Sequence, residues 1–354
     1  MNRGVLLRRA VVLHAMILGA MILGAMILGA MILGAMILGA LMLGALPAAA
    51  EAPDDNTWPA HPVRIVNGFA AGGAADILAR MAADQLTKTF GQQFFVETRA
   101  GASGVISVDD VAHSPPDGYN FVLTTLSLTA IGPLVNSKIG YDPFKDLTHV
   151  AYLAGSPIVF IVNAKSEVKT LGDFVAKAKS SLKPLTYGVS GLASAGQMLA
   201  ESFAQLADLQ FQVVPYKGAS QSQLDVVAGN IDFATPTVTS ATPQLQGGTV
   251  TALAQTGAKR LPDYPNMPTF KELGYDIVAA NWFGLAGPAG LPPDIVRKVN
   301  RAINAGMAAP ESQERIRVQG MIIAPMDAAT FQAFVEHEAL RWKPVILKAG
   351  LKME

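Results

Sequence analysis

Apolar positions change period along the chain, and the changes mark its elements. Val63 to Val66 reads VRIV, β-branched and apolar around Arg64, as a strand does. A glycine-rich bend runs from Phe69 to Gly73, and Ile77, Leu78, Met81 and Leu86 then recur at helical spacing. The stretch predicts strand, tight turn and helix start. Amides at such a helix start lack intrahelical partners and carry the positive end of the macrodipole, which suits a carboxylate or phosphate. Phe69, Ala71, Gly72, Gly73, Ala74 and Ala75 are candidates for this site, with Gly72 and Gly73 letting the main chain approach an anion. The alternative is a Gly-Gly pair that only permits a turn. Neither G-x-G-x-x-G nor Gly-Lys-Ser/Thr is present, and Asp76 in the first turn reads as a helix-stabilising carboxylate.

Phe94 to Thr98 predicts the next strand, Arg99 to Gly104 a glycine-rich turn, and Val105 to Ala112 a helix stopped by Pro115-Pro116-Asp117-Gly118. Tyr119 to Thr125 predicts a strand with the hydroxyls of Thr125 and Ser127 at its carboxyl end. That is the edge at which open α/β sheets bind ligands. Two apolar runs in Val150 to Asn163, broken at Gly155-Ser156-Pro157, predict a crossing between domains.

A second α/β set follows. It comprises a helix Leu171 to Ser181, a strand Leu185 to Val189, and a small-residue turn Ser190 to Gln197 leading into a helix with Met198, Leu199, Phe203 and Leu206. Ser190, Ala193, Ser194 and Gln197 repeat the logic of the first helix start. Leu192 stands where a G-x-S-x-G nucleophile elbow needs glycine, so Ser190 reads as a turn residue. Strands are expected at Phe211 to Tyr216, Ile231 to Thr235 and Thr251 to Thr256, with helices at Ser220 to Val227 and near Thr242 to Gln246. Tyr216 and Asp232 fall at strand ends. Tyr216 either packs on a ligand or is a half-buried turn tyrosine. After a helix Phe270 to Leu273, the apolar segment Asn281 to Gly290 suits a second crossing, with Trp282 as core or cleft wall. Helices Pro293 to Met307, Glu311 to Gln319 and Ala328 to Ala349 close the chain, and Phe331, Phe334, Val335, Leu340 and Trp342 read as packing residues.

Residues 1 to 50 stand outside this pattern. Arg3, Arg8 and Arg9 precede an apolar run in which MILGA repeats five times from Met16 to Ala40, and Ala48-Ala49-Ala50 offers a cleavage site before Glu51. This predicts a cleaved secretory signal and an exported product. An uncleaved anchor is the alternative, because the run is long enough to span a bilayer. Glu51 to Pro62 is a polar, Pro-rich lead-in. There is no cysteine, which excludes disulfides and thiolate metal sites. Without residues 1 to 50, which hold three Arg and no acid, 24 basic residues face 27 acidic ones, a net −3. Nothing in that balance suits a nucleic-acid partner. His61, His113, His149 and His337 form no metal spacing and no triad, so neither a cofactor nor catalysis is expected.

From WPAHPVRIV and FAAGGAADILAR to HEALRWKPVILKAG, the chain resembles the substrate-binding receptors of tripartite tricarboxylate transporters, the Bug receptors. ETRAGASGVIS, PPDGYNFVLTT, YDPFKDL, LTYGVSGLASAG, VPYKGASQSQLDVVAGNIDF, LPDYPNMPTFKELGYD and WFGLAGPAGLP match in order and spacing. The resemblance implies an α/β, two-lobed periplasmic binding fold, type II-like, in which crossing strands join two α/β domains around a ligand cleft. Residues 63–153 and 282–354 would form one lobe and 154–281 the other. It also implies a monomer that takes a small organic carboxylate to membrane transporter subunits. Main-chain groups of two facing loops, Phe69 to Ala75 and Ser190 to Gln197, would grip that carboxylate without a dedicated arginine. Asn67-Gly68 stands where Val-Pro is common in the family, Thr98 where asparagine is, and Gln197 where histidine is. The rivals to this reading are a secreted hydrolase or lyase on a similar fold and a receptor serving a signalling partner.

Overall fold

The computed structural model describes residues 58–352, apart from 70–72, 137 and 217, and in the leader only Met16, Gly19, Met21, Gly24 and Met26, which are helical. The signal-peptide reading therefore lies almost wholly outside the described residues. Among these, no helix is long and apolar enough to cross a membrane. By contacts, the chain divides into Met1–Thr57 and Trp58–Glu354.

The second unit carries two five-stranded sheets with the same internal plan. In chain order its elements are β1 (Val63–Asn67), α1 (Ala74–Phe90), β2 (Phe94–Thr98), α2 (Val105–Ala112), β3 (Asn120–Thr125), a π-helical turn (Ser127–Ile131) with α3 (Gly132–Val135), β4 (Leu147–Pro157) and β5 (Val159–Asn163). They continue with α4 (Leu171–Ser180), β6 (Leu185–Val189), α5 (Ala195–Ala207), β7 (Phe211–Pro215), α6 (Ala219–Ala228), β8 (Phe233–Ala234), α7 (Val238–Gln246) and β9 (Val250–Gln255). The last four are β10 (Ala280–Pro288), α8 (Pro293–Ala308), α9 (Pro310–Arg317) and α10 (Ala328–Ala349). The sheet orders are β2-β1-β3-β10-β4 and β7-β6-β8-β5-β9. In each, three parallel strands join an antiparallel inner strand and edge strand. The chain leaves the edge of the first sheet at Pro157 and enters the interior of the second at Val159. It returns from the edge strand β9 to the interior strand β10.

The strands alternate their side chains between two faces, and each face is covered. Ile65 and Phe121 pack under α1 and α8 with Leu78 and Val299, while Val66 and Val122 meet α2 through Val108 and Val111. On one face of the second sheet Phe160 and Phe233 stack at 4.4 Å. Their cluster extends without a break to Trp282 and to Phe331, Val335, Trp342 and Ile346 of α10. Trp282 is thus core, with no exposed surface. Beneath it Glu338 is 3 % exposed and accepts from Trp342 Nε1 at 3.3 Å, and Arg341 donates to the Val278 carbonyl at 2.6 Å. The Arg341 bond ties the last helix to the returning chain, while the Glu338–Trp342 bond lies within the helix.

Two expectations are corrected. Phe270 to Leu273 is a single turn, not a helix, and Leu340 is 69 % exposed.

His149 on β4 is buried, with Nε2 3.1 Å from the Pro143 carbonyl and its ring edge-on to Phe331. Burial pushes its pKa down from 6.5 to about 4. A histidine neutral in the fold and protonated in the unfolded chain costs stability as pH falls below 6.5, and the loss is complete below about 4. The full gap corresponds to roughly 3 kcal/mol. His149→Gln is expected to flatten the pH dependence of unfolding free energy in that window, as measured by urea titrations between pH 7 and 4. An unchanged slope would sink the assignment.

Candidate functional site

At the carboxyl ends of its parallel strands each sheet runs into loops that start helices. In the first sheet β1 ends at Asn67, which is fully buried. Its side chain closes the bend: Oδ1 accepts the Phe69 N–H at 3.2 Å and Nδ2 donates to the Phe69 carbonyl at 3.1 Å. Gly68 lies flush on the neighbouring loop, where a Cβ would stand 2.7 Å from Gly104 Cα. Phe69 is half-buried, with its ring turned toward Gly104. Gly73 is the N-cap of α1, exposed, at φ −82° and ψ 171°. No side chain among the described residues caps that turn. Ala74 opens the helix, and Ala75 is buried in the core. Ala71 and Gly72 lie outside the described residues.

Thr125 ends β3 turned inward, 3 % exposed, its hydroxyl oxygen accepting the Leu128 N–H at 3.3 Å. Ser127 is half-buried at the start of the π-helical turn. Arg99, just past this edge, is already engaged, and so is Arg64 near the amino end of β1. Arg64 reaches Glu97 and Asp110 at 3.1 Å each, and Arg99 reaches them at 2.6 and 2.9 Å. The Arg99 guanidinium holds the Glu97 carboxyl below the usual carboxylate range. Arg99→Ala is accordingly expected to change carboxylate affinity by less than about threefold, the size of a weak exposed ion pair. Calorimetric titration checks this, and loss of binding would show an arginine grip.

In the second sheet β6 ends at Val189. Ser190 is exposed, Gly191 has φ +141°, and Ala193 is buried at φ +57°. Ser194 is the N-cap of α5 and accepts the Gln197 N–H at 3.4 Å. Gln197, 1 % exposed, folds back so that its Oε1 accepts the Ala193 N–H at 2.7 Å. Its side chain therefore shapes the turn, and its acceptor is already used. Tyr216 stands beside this turn, its N–H donating to the Val189 carbonyl at 2.9 Å. Its hydroxyl donates to Asp225, and burial followed by that carboxylate pushes it up to about 12.

Asp232 is a correction. It precedes β8 and pairs with Thr186 at the amino end of β6, on the edge opposite Ser190. Oδ2 accepts the Thr186 N–H and hydroxyl at 3.0 Å each, and Oδ1 lies 3.2 Å from Lys177 Nζ. The strand β8 itself covers only Phe233 and Ala234, because Ile231 and Asp232 are drawn into the turn.

Two hydroxyl residues at these edges were missed: Thr124 on β3 and Thr235 after β8. Both are buried, and neither side-chain oxygen has a hydrogen-bond partner among the described residues. The one available signal was a threonine at the carboxyl end of a predicted strand.

The loops are not independent. Leu126, Ala130 and Ile131 after β3 share one buried cluster with Ala193, Ala195 and Met198 at the start of α5. A cavity of about 670 Å³ lies elsewhere, between Ala258–Tyr264 and Pro310–Ile323, and none of the candidate residues lines it. Among the described residues no three His, Asp or Glu are placed to hold a metal.

The model of the tripartite tricarboxylate transporter family receptors matches residues 78–351. The protein BugT of Bordetella pertussis is 30 % identical over 303 residues, covering 84 % of this chain and 92 % of its own. An R. palustris protein solved with adipate superposes with a TM-score of 0.75 at 33 % identity, over 83 % of this chain and 99 % of its own. MatC from Rhodopseudomonas palustris, solved with bound malate, gives 0.71 at 27 % identity, over 82 % and 100 %.

Proposed function

The chain belongs to the receptors of the tripartite tricarboxylate transporter family, and from that membership we propose that it captures a small organic carboxylate between two lobes and hands it to a membrane transporter. It is a solute-binding receptor, not an enzyme. One observation carries the carboxylate reading. α1 and α5 both begin just past the carboxyl ends of parallel strands, after loops of small residues, while Arg64 and Arg99 are spent on Glu97 and Asp110. Helix-start amides then supply the positive field that the arginines do not. The adipate and malate bound by two relatives fit that chemistry.

The lobes run over residues 63–153 with 282–354, and over 154–281, linked by β4 and β10. The change of sheet between Pro157 and Val159, and the return before Ala280, support this division. Export by the apolar leader belongs to the same reading. The grip consists of Phe69 to Ala75 and Ser190 to Gln197, with Thr125, Ser127 and Tyr216 on its rim.

A thermal-shift screen over straight-chain dicarboxylates, malate and aromatic acids tests the function. A receptor is stabilised by about 2.7 kcal/mol at a hundredfold excess over its Kd, and returns the acid unchanged. An acid consumed during incubation, or a library with no stabilising member, would refute it.

A further inference from the structure

β8 delivers Thr235 to the first turn of α5, and the packing there admits no side chain on Gly196. A Cβ on Gly196 would run into the Thr235 carbonyl oxygen and stand 2.9 Å from its hydroxyl oxygen. Gly196 is not among the residues with positive φ, so the glycine serves close approach there and not torsion. The backbone around Thr235 is pinned: its N–H donates to the Gly188 carbonyl at 3.4 Å, and the Pro236 carbonyl accepts the Val159 N–H at 2.8 Å. The residue is 4 % exposed, and its hydroxyl oxygen has no partner among the described residues. Buried hydroxyls are nearly always bonded, so this one needs an explanation. On the same turn Ser194 serves the Gln197 N–H and Gln197 serves the Ala193 N–H. The amides of Ala195 and Gly196 are the first-turn donors that this capping leaves over. A donor hydroxyl packed against Gly196, on a helix start whose first amides are uncapped, suits a carboxylate oxygen.

We propose that Thr235 contacts the ligand, its hydroxyl donating to a carboxylate oxygen held on the Ala195 and Gly196 amides. This rests on the carboxylate-receptor reading above and names the side chain that completes its second helix start. The roles divide by chemistry. Gly196 brings strand and helix together, the amides supply field, and Thr235 supplies direction, since a hydroxyl can rotate its proton onto one oxygen.

Calorimetric titration with straight-chain dicarboxylates up to adipate, and with malate, tests it on three chains: the parent, Thr235→Val and Thr235→Ser. Valine keeps the shape and removes the donor. It is expected to weaken the best-bound acid by about ten- to a hundredfold, the range for a hydrogen bond to a charged group. Serine restores the donor and is expected to recover most of that loss. The melting temperature of the unliganded valine variant should stay level or rise, because an unpartnered buried hydroxyl has been removed. Parent-like affinity in the valine variant would overturn the inference and leave the receptor reading standing. So would a fall in unliganded stability that serine reverses without restoring affinity, which marks a structural threonine. A parent chain that binds none of these acids nor any other carboxylate overturns both.

Discussion

Gly73→Asp is expected to abolish carboxylate binding while leaving the fold at least as stable as the parent. Gly73 is the N-cap of α1, exposed and in extended backbone that any residue adopts, so a side chain there tests space and charge, not torsion. Aspartate is among the best N-caps and satisfies the first-turn amides from within the chain. It also fixes a negative charge where the ligand's would sit. Two like charges about 4 Å apart repel by about 4 kcal/mol at the screening typical of a protein surface, roughly a thousandfold in affinity. Gly73→Asn supplies the same cap without the charge and should lose much less. Titration of both with the acid found by screening, beside their melting temperatures, decides the matter. Parent-like affinity in the aspartate variant would mean that the anion does not sit on this helix.

The second large effect is on stability. Trp282→Ala should destabilise the chain by about 3 to 5 kcal/mol, the usual cost of removing a buried tryptophan. Trp282 has no exposed surface and lies edge-on to Phe331 and Phe334 at 5.7 and 5.6 Å. The cluster it belongs to runs from the second sheet into the last helix, so the cavity opens where both meet. Chemical unfolding in urea measures the loss. Trp282→Phe, which keeps most of the apolar volume, should cost less than half as much. Equal losses for the two variants would mean that packing at this ring is not what stabilises the junction.

What the sequence made legible follows from the physics of each segment. β2, β6 and α2 appear at the residues expected, because each is a short segment rich in apolar residues with glycine or proline close on its flanks. Phe270 to Leu273 misleads because it carries a helix-start signal with no helix behind it. The Thr269 N–H donates to Glu272 at 2.7 Å and the Glu272 N–H to Thr269 at 3.0 Å. Gly274 at φ +87° then stops the turn, and the Tyr275 N–H returns to the Phe270 carbonyl at 3.0 Å. Leu340 misleads by phase: Phe331, Val335, Trp342 and Ile346 form the inward stripe, and Leu340 lies off it.

In the site, the two small-residue helix starts were readable as local signatures. Asp232 misleads because only its nearness to a strand end was read, whereas it opens the strand Ile231 to Thr235 and so faces the amino edge, away from the ligand side. Thr235 needed knowledge of what packs on Gly196, a contact between segments about forty residues apart that no periodicity encodes.

The pairing of Arg64 and Arg99 with Glu97 and Asp110 has a bearing on how a ligand arrives. Four full charges cancel within hydrogen-bonding distance, so little of their field leaves the protein. An anion in solution meets dipoles, whose influence falls off faster with distance than that of a net charge. Long-range steering, which accelerates encounters and fades as salt rises, has little to act on at this edge. On the proposed grip, this quartet would add no steering to capture, and discrimination would begin at contact, where the acid exchanges its hydration shell for fixed amides. A receptor built this way would keep its on-rate nearly constant across dilute and salty surroundings.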